Sequence, residues 1–366
     1  MPLLSLPVDT ISASTYTVPT DSPESDGTLA WTSTTMVAVH VSSGKHIGFG
    51  YTYADGAARA IVEGALRNVV QDRDAHEVTA LYDAMRAAVR NTGEGGLNAF
   101  AIAAVDMALW DLKAKALGVP LYDLLGGRVR DAVELYGSGG FTSYTDAELR
   151  EQLGAWADKG FHAVKMKIGR DAHADPDRIA SARRAIGSHT QLFTDANAAY
   201  TAREAVAMAE RMREFGVRWF EEPVHHRDYD GLRFVREHVP PEMAVAAGEY
   251  GFTLDDARMH LTSESVDVLQ ADATRCGITG FMRVAALCQA FRVRMSSHCA
   301  PSVHLHPCLA AAPVVHMEWF HDHVRLEQML LEGVVKDRHG KLSADGERPG
   351  HGLALNTREA DKYTIA

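Results

Sequence analysis

The chain of 366 residues has no basic block and no arginine-rich tail, and its formal net charge is −11. That balance argues against nucleic acid and anionic membranes as partners. There are only four cysteines, Cys276, Cys288, Cys299 and Cys308, all in the last third and with no CxxC pairing. A disulfide framework is not expected, and a reducing cytoplasm fits the composition better. No segment approaches the roughly 20 uninterrupted apolar residues of a membrane span. The opening stretch MPLLSLPVDTISAS has neither a basic n-region nor a long apolar core, so no signal peptide is predicted. A GxGxxG phosphate turn is also missing: GSGG at 137–140 has the wrong spacing.

What is present is apolar material, 46% of the chain, enough for a substantial core. The length suggests two domains, or one large barrel with an added piece. In the first part TTMVAVHVSS (34–43) alternates like a strand, whereas 55–70 and 76–90 have helical spacing. LNAFAIAAVDMALWDLKAKALG (97–118) reads as a long buried helix that stops at Gly118, with Pro120 just beyond.

From about residue 130 a rhythm takes over. Eight short β-rich runs begin near 132, 163, 191, 217, 244, 266, 292 and 314, with helix-like segments such as 146–160 and 201–216 between them. Strand–helix alternation repeated eight times predicts an α/β fold of the (β/α)8 barrel type. The competing doubly wound sheet would usually carry the glycine-rich turn that is missing here.

Ionisable residues stand at or near the ends of seven successive runs. The second run, VKMKIG, carries Lys165 and Lys167; the following ones reach Asp195, Glu221, Glu249, Asp272, His298 and Glu318. In a barrel these ends converge on one mouth. Asp195, Glu221 and Glu249 come from consecutive runs and would repel one another unless a cation sat among them. All-oxygen ligands favour a hard divalent ion such as Mg2+. Glu222 should point away from Glu221 by alternation. His304 and His306 fall outside the rhythm and read as ordinary helix or loop residues.

Asp272 beside His298 would fix the imidazole tautomer and raise its basicity. Two lysines side by side on a strand repel, and the repulsion should lower the pKa of Lys167 until it can take a proton. A substrate held at the carboxylates would then have Lys167 on one side and His298 on the other. That suits removal of a proton α to a carboxylate. Glu318 is expected to stay protonated and to donate a hydrogen bond to the enolate.

With the helix AVDMALWDLKAKALGVPLYDLLGG (104–127), these motifs resemble the enolase superfamily, and within it the mandelate racemase subgroup. The resemblance spans nearly the whole chain. It implies an α+β capping domain from residues 1–125, a modified (β/α)8 barrel from 126–325, and a C-terminal segment, 326–366, returning to the cap. It also implies one Mg2+ on Asp195, Glu221 and Glu249, a carboxylate substrate and a homo-oligomer. Lys167 would be the base, Lys165 its electrostatic neighbour, and His298 with Asp272 the opposite acid/base. Cys276 stands in RCGIT where relatives usually have glycine, beside no proposed catalytic residue. Lid candidates are the loops 20–31 and 91–98. Trp31 is expected to shield the site, and Asn197 to touch a substrate hydroxyl.

Two bases on opposite faces permit dehydration, epimerisation or cycloisomerisation. The polar lid candidates and the subgroup's frequent chemistry favour dehydration of a sugar acid or diacid; racemisation or cycloisomerisation through the same enolate is the alternative. A metal-dependent barrel hydrolase is the reading from another class, but it commonly uses histidine ligands or two metals.

Overall fold

The computed structural model describes residues 5–365. Three antiparallel strands, β1 (Thr10–Ser25), β2 (Ala30–Ser43) and β3 (His46–Tyr53), form the first sheet. Helical segments follow over 57–70, Val78–Val89 and Leu97–Leu117, as the periodicity predicts; the first of them contains a π-turn at Val62–Leu66. The long helix is buried on almost every face and ends on Gly118 in the left-handed region. It lies directly on β3. A Cβ on Gly50 would come within 2.1 Å of the Ala104 carbonyl oxygen, and one on Gly48 within 2.0 Å of that of Ala108. Those two glycines set the distance between helix and sheet.

The eight runs are eight parallel strands: β4 (Val133–Gly139), β5 (Ala163–Lys167), β6 (Gln191–Asp195), β7 (Val217–Glu221), β8 (Ala244–Ala247), β9 (Val268–Ala271), β10 (Arg294–Ser297) and β11 (Val314–Phe320). Each pairs with the next, and β11 pairs with β4, which closes the barrel. Local sequence starts several of the intervening helices. Thr145, Thr201 and Thr253 each form a reciprocal capping box with the acidic residue three positions on.

Alternation along the strands fills the interior in layers. Tyr136, Ala163, Phe193, Trp219 and Val268 make an apolar plug at the N-terminal end. Two residues further along β5, β6 and β7, the same inward parity delivers Lys165, Asp195 and Glu221, all buried. Lys165 Nζ lies 5.3 Å over the Tyr136 ring, where the apolar layer meets the polar one.

The C-terminal segment touches both parts of the molecule. Lys341–Leu342 pairs with β4, while Thr364 bridges to Tyr16 of β1 and the Ile365 amide donates to the Thr15 carbonyl. Among the described residues no helix is long and apolar enough to cross a membrane.

Candidate active site

At the C-terminal ends of the strands lies a cavity of about 430 Å3. Barrel residues Lys167, Asn197, Glu249, Asp272, His298 and Glu318 line one side of it; Trp31, Thr35 and Tyr53 from the first sheet line the other. A larger cavity, about 770 Å3, opens at the opposite end of the barrel around His162, Gln191 and Arg294. None of the candidate residues reaches it, so volume alone would point to the wrong end.

Asp195, Glu221 and Glu249 each offer a carboxylate oxygen, and the three lie within 4.8 Å of one another. Asp195 and Glu221 end their strands, while Glu249 sits two residues beyond β8. Lys165 Nζ contacts Glu221 Oε1 at 2.6 Å and Glu318 Oε1 at 2.8 Å, and Lys167 Nζ contacts Asp195 Oδ2 at 2.5 Å. Burial pushes Glu221 up to about 8, with Asp195 adding repulsion against the attraction of Lys165. Glu249 Oε2 is buried and has no hydrogen-bond partner. An all-oxygen donor set that includes a buried carboxylate oxygen without a hydrogen bond fits a hard divalent cation.

These contacts correct two expectations. Burial and Lys165 both act to lower the pKa of Lys167, but the carboxylates of Asp195, Glu249 and Glu221 outweigh them, and the net shift is upward. Glu318 is not held neutral. Burial favours its protonated form, yet Lys165, His298 and Lys167 hold it well below the usual carboxylate range.

Across the mouth, His298 Nδ1 lies 2.9 Å from Asp272 Oδ2. Burial opposes both charges, but the His298 pKa is raised by Glu249, the Asp272 bond and Glu318. Asp272 is held well below the usual carboxylate range by His298, His304 and Arg275 against its own desolvation. His298 Nε2 faces Glu249 Oε2 at 3.4 Å and Cys299 Sγ at 3.2 Å.

Three neighbours of the site escaped the sequence reading. Glu222 is not one of the three clustered carboxylates, but it stays within their electrostatic reach. Strand β7 ends at Glu221, Glu222 takes φ 38°, and alternation stops there. Its carboxyl is buried with both oxygens unpartnered, and burial with Glu249, Asp195 and Glu221 raises its pKa strongly. Arg275 stands 3.6 Å from Asp272 and 4.7 Å over the Tyr250 ring; the Asp-x-x-Arg spacing at a helix start was legible. His304 and His306 do lie in a helix, Pro301–Ala310, but His304 Nε2 accepts the Ala273 amide at 2.7 Å and sits 3.6 Å from Asp272.

The lid candidates divide. Residues 20–31 are mostly not a loop but the end of the β1–β2 hairpin: Glu24 pairs with Trp31 and Ser25 with Ala30, past an irregular stretch after Pro19. Trp31 lines the cavity, stacks edge-on against Phe141 and donates its indole N–H to Glu24 at 2.8 Å. Residues 91–98 do not line the cavity; Gly95 faces Phe252 instead. Asn197 is in the cavity, its backbone N–H donating to Asp195 Oδ1 at 2.9 Å and its side-chain oxygen unpartnered.

Known proteins share this arrangement of cap and barrel. Residues 12–126 match the family described as Mandelate racemase / muconate lactonizing enzyme, N-terminal domain, and residues 148–360 match Enolase C-terminal domain-like. The 3,6-anhydro-alpha-L-galactonate cycloisomerase of Streptomyces coelicolor is 32% identical over 87% of this chain and 88% of its own length. The D-gluconate dehydratase of Thermoproteus tenax is 31% identical over 80% of this chain and 61% of its own. Among solved structures, a mandelate racemase/muconate lactonizing enzyme-like protein from Rubrobacter xylanophilus superposes with a TM-score of 0.96 at 47% identity, covering 98% of this chain and 100% of that one. A racemase from Streptomyces coelicolor with bound magnesium gives 0.92 at 28% identity, with coverage of 98% and 100%.

Proposed function

The chain belongs to the mandelate racemase/muconate lactonizing enzyme family of the enolase superfamily, and on that premise we propose that it dehydrates a sugar acid or diacid. The observation that carries this reading is the placement of Lys167 and His298 in one cavity with the carboxylate cluster. Asp195, Glu221 and Glu249 would hold Mg2+, the ion bound in the S. coelicolor racemase. When bound, the ion stabilises the negative charge that develops on the substrate carboxylate.

Lys167 Nζ takes the α-proton in this scheme. With the Asp195 charge engaged elsewhere, burial and Lys165 remain, and both lower the proton affinity of Lys167. Lys165 Nζ, fixed between Glu221 and Glu318, keeps a positive charge beneath the reacting carboxylate. His298 Nε2 gives its proton to the β-hydroxyl as the Cβ–O bond breaks, and water leaves. The electron pair of the broken Cα–H bond becomes the Cα=Cβ double bond, and the resulting enol tautomerises to a 2-keto acid. Asp272 keeps the Nδ1 proton of His298 in place and Nε2 toward the cavity. On the cap side Ser33 and the unpartnered Tyr53 hydroxyl offer partners for a polyhydroxylated chain, whereas the hydroxyls of Thr34 and Thr35 already bond Asp322 and Thr17. A cytoplasmic setting belongs to the same proposal, supported by four unpaired cysteines.

Incubation with a panel of sugar acids and Mg2+, followed by semicarbazide detection, should reveal a 2-keto product lighter than its substrate by one water. Deuterium uptake at Cα without a keto product would overturn dehydration. It would favour racemisation or the cycloisomerisation for which the S. coelicolor relative is named.

A further inference from the structure

A second group of side chains of the types that ligate metals lies outside the cavity, between the β1–β2 hairpin and the barrel. Asp21 and Glu24 come from the hairpin, and His321 opens the helix His321–Leu330 that follows β11. One donor atom from each lies within 4.8 Å of the others. His321 Nε2 stands 2.9 Å from Asp21 Oδ2, a separation that suits a direct hydrogen bond or two donors sharing one ion.

Glu24 is what a hydrogen bond alone leaves unexplained. It is only 1% exposed. Its Oε2 accepts the Trp31 indole N–H, but its Oε1 is buried and has no partner. A buried carboxylate oxygen without a partner is costly. The charge around it is unbalanced as well. Burial pushes the Glu24 carboxyl up to about 8, with Asp322 and Asp21 adding to the rise and the Trp31 bond and Arg325 opposing it. The negative charges of Asp322 and Asp21, which add to that rise, favour a cation beside Glu24. Arg325, whose positive charge lowers the Glu24 pKa, commits its Nη2 to Asp322 and to the Pro19 carbonyl.

We propose that Asp21, Glu24 and His321 bind a first-row divalent transition ion such as Zn2+ or Mn2+. One imidazole nitrogen with two carboxylates is a donor set such ions accept, whereas Mg2+ prefers oxygen alone. Two ligands come from the cap and one from the barrel, so the ion fastens the hairpin shut. Trp31 is the cross-strand partner of Glu24 and lines the cavity. Binding therefore fixes the residue at the cavity mouth without touching the carboxylate cluster.

Trp31 also reports on the site. Co2+ should be titrated into the full-length protein in excess Mg2+, with equilibrium dialysis for stoichiometry and indole quenching as the optical signal. Wild type and Glu249→Gln should each bind one Co2+, with a saturable quench that Trp31→Phe removes. Glu24→Gln and His321→Gln should each weaken binding at least tenfold. His321 is partly exposed, so its replacement tests the site even if the Glu24 variant folds poorly. Undiminished Co2+ binding in both of these variants, or loss of binding in Glu249→Gln alone, would overturn the proposal. Neither result bears on the role of Lys167 and His298.

Discussion

His298 Nδ1 and Asp272 Oδ2 are 2.9 Å apart, and this contact leaves Nε2 as the ring nitrogen that serves the cavity. Removing the Asp272 charge takes away part of what raises the His298 pKa. If His298 is the acid in dehydration, as proposed, the alkaline limb of the kcat profile should move to lower pH in Asp272→Asn. Turnover should fall by between about 100-fold and 10,000-fold, the usual range for loss of acid–base assistance. A pH profile of the variant that superposes on the wild type would remove Asp272 from the mechanism.

The two proposed acid/base groups should fail differently. Lys167→Ala is expected to lose α-proton exchange and dehydration together, by about a thousandfold. His298→Asn should retain exchange at Cα in heavy water yet release no 2-keto acid. Exchange that survives both substitutions would show that neither group removes the proton.

Metal dependence follows from the carboxylate cluster. Chelation should abolish turnover and Mg2+ restore it. Glu249→Gln should raise the Mg2+ requirement by at least the roughly tenfold typical of less direct contacts. Mg2+ at about 100 times its Kd should raise the unfolding free energy by about 2.7 kcal/mol. Denaturant melts with and without the ion provide the measurement. A wild-type melt indifferent to Mg2+ contradicts the assignment of the cluster.

In chelator, stability should decline as the pH rises from about 4 to about 8. Burial raises Glu24 and Glu221 to about 8, and Asp106 and Glu327 to about 7. A carboxyl with a raised folded pKa adds stability that is complete below its unfolded pKa. That stability is lost as the pH climbs through the folded value. Thermal melts of the metal-free protein should therefore show a falling Tm across this window. Glu24→Gln, which cannot ionise, should flatten part of the fall; an unchanged slope would place the effect elsewhere.

Gly50 tests the packing of the cap. A side chain there meets the Ala104 carbonyl at 2.1 Å, so the long helix must shift. Gly50→Ala should cost up to about 3 kcal/mol, in the range of overpacked cores. Denaturant unfolding of the variant measures it, and a cost near zero would mean that helix and sheet separate easily.

Much of the site was legible because a strand's side-chain period is two and a barrel gathers its strand ends. Lys165 and Lys167 share a face for that reason, and Asp195 and Glu221 follow at the ends of the next strands. Beyond a strand end the rule lapses. Glu222, one residue past β7, takes a backbone conformation that alternation does not describe, and its buried carboxyl stays within the field of Glu249, Asp195 and Glu221. Cap residues were harder still. Trp31 reaches the cavity only because the hairpin folds over the barrel, and nothing in local periodicity encodes that contact.

The sequence by itself determined which ionisable groups would meet, because strand order and side-chain parity are properties of the chain. Tertiary structure decided their charge states. VKMKIG reads as two repelling cations, yet Lys165 is braced by Glu221 and Glu318, and Lys167 by Asp195. These partners come from strands up to 153 residues away in the chain (165 to 318), and Coulomb energies depend on distance through space. The same geometry favours the ionised form of Glu318, which the strand pattern could place but could not charge.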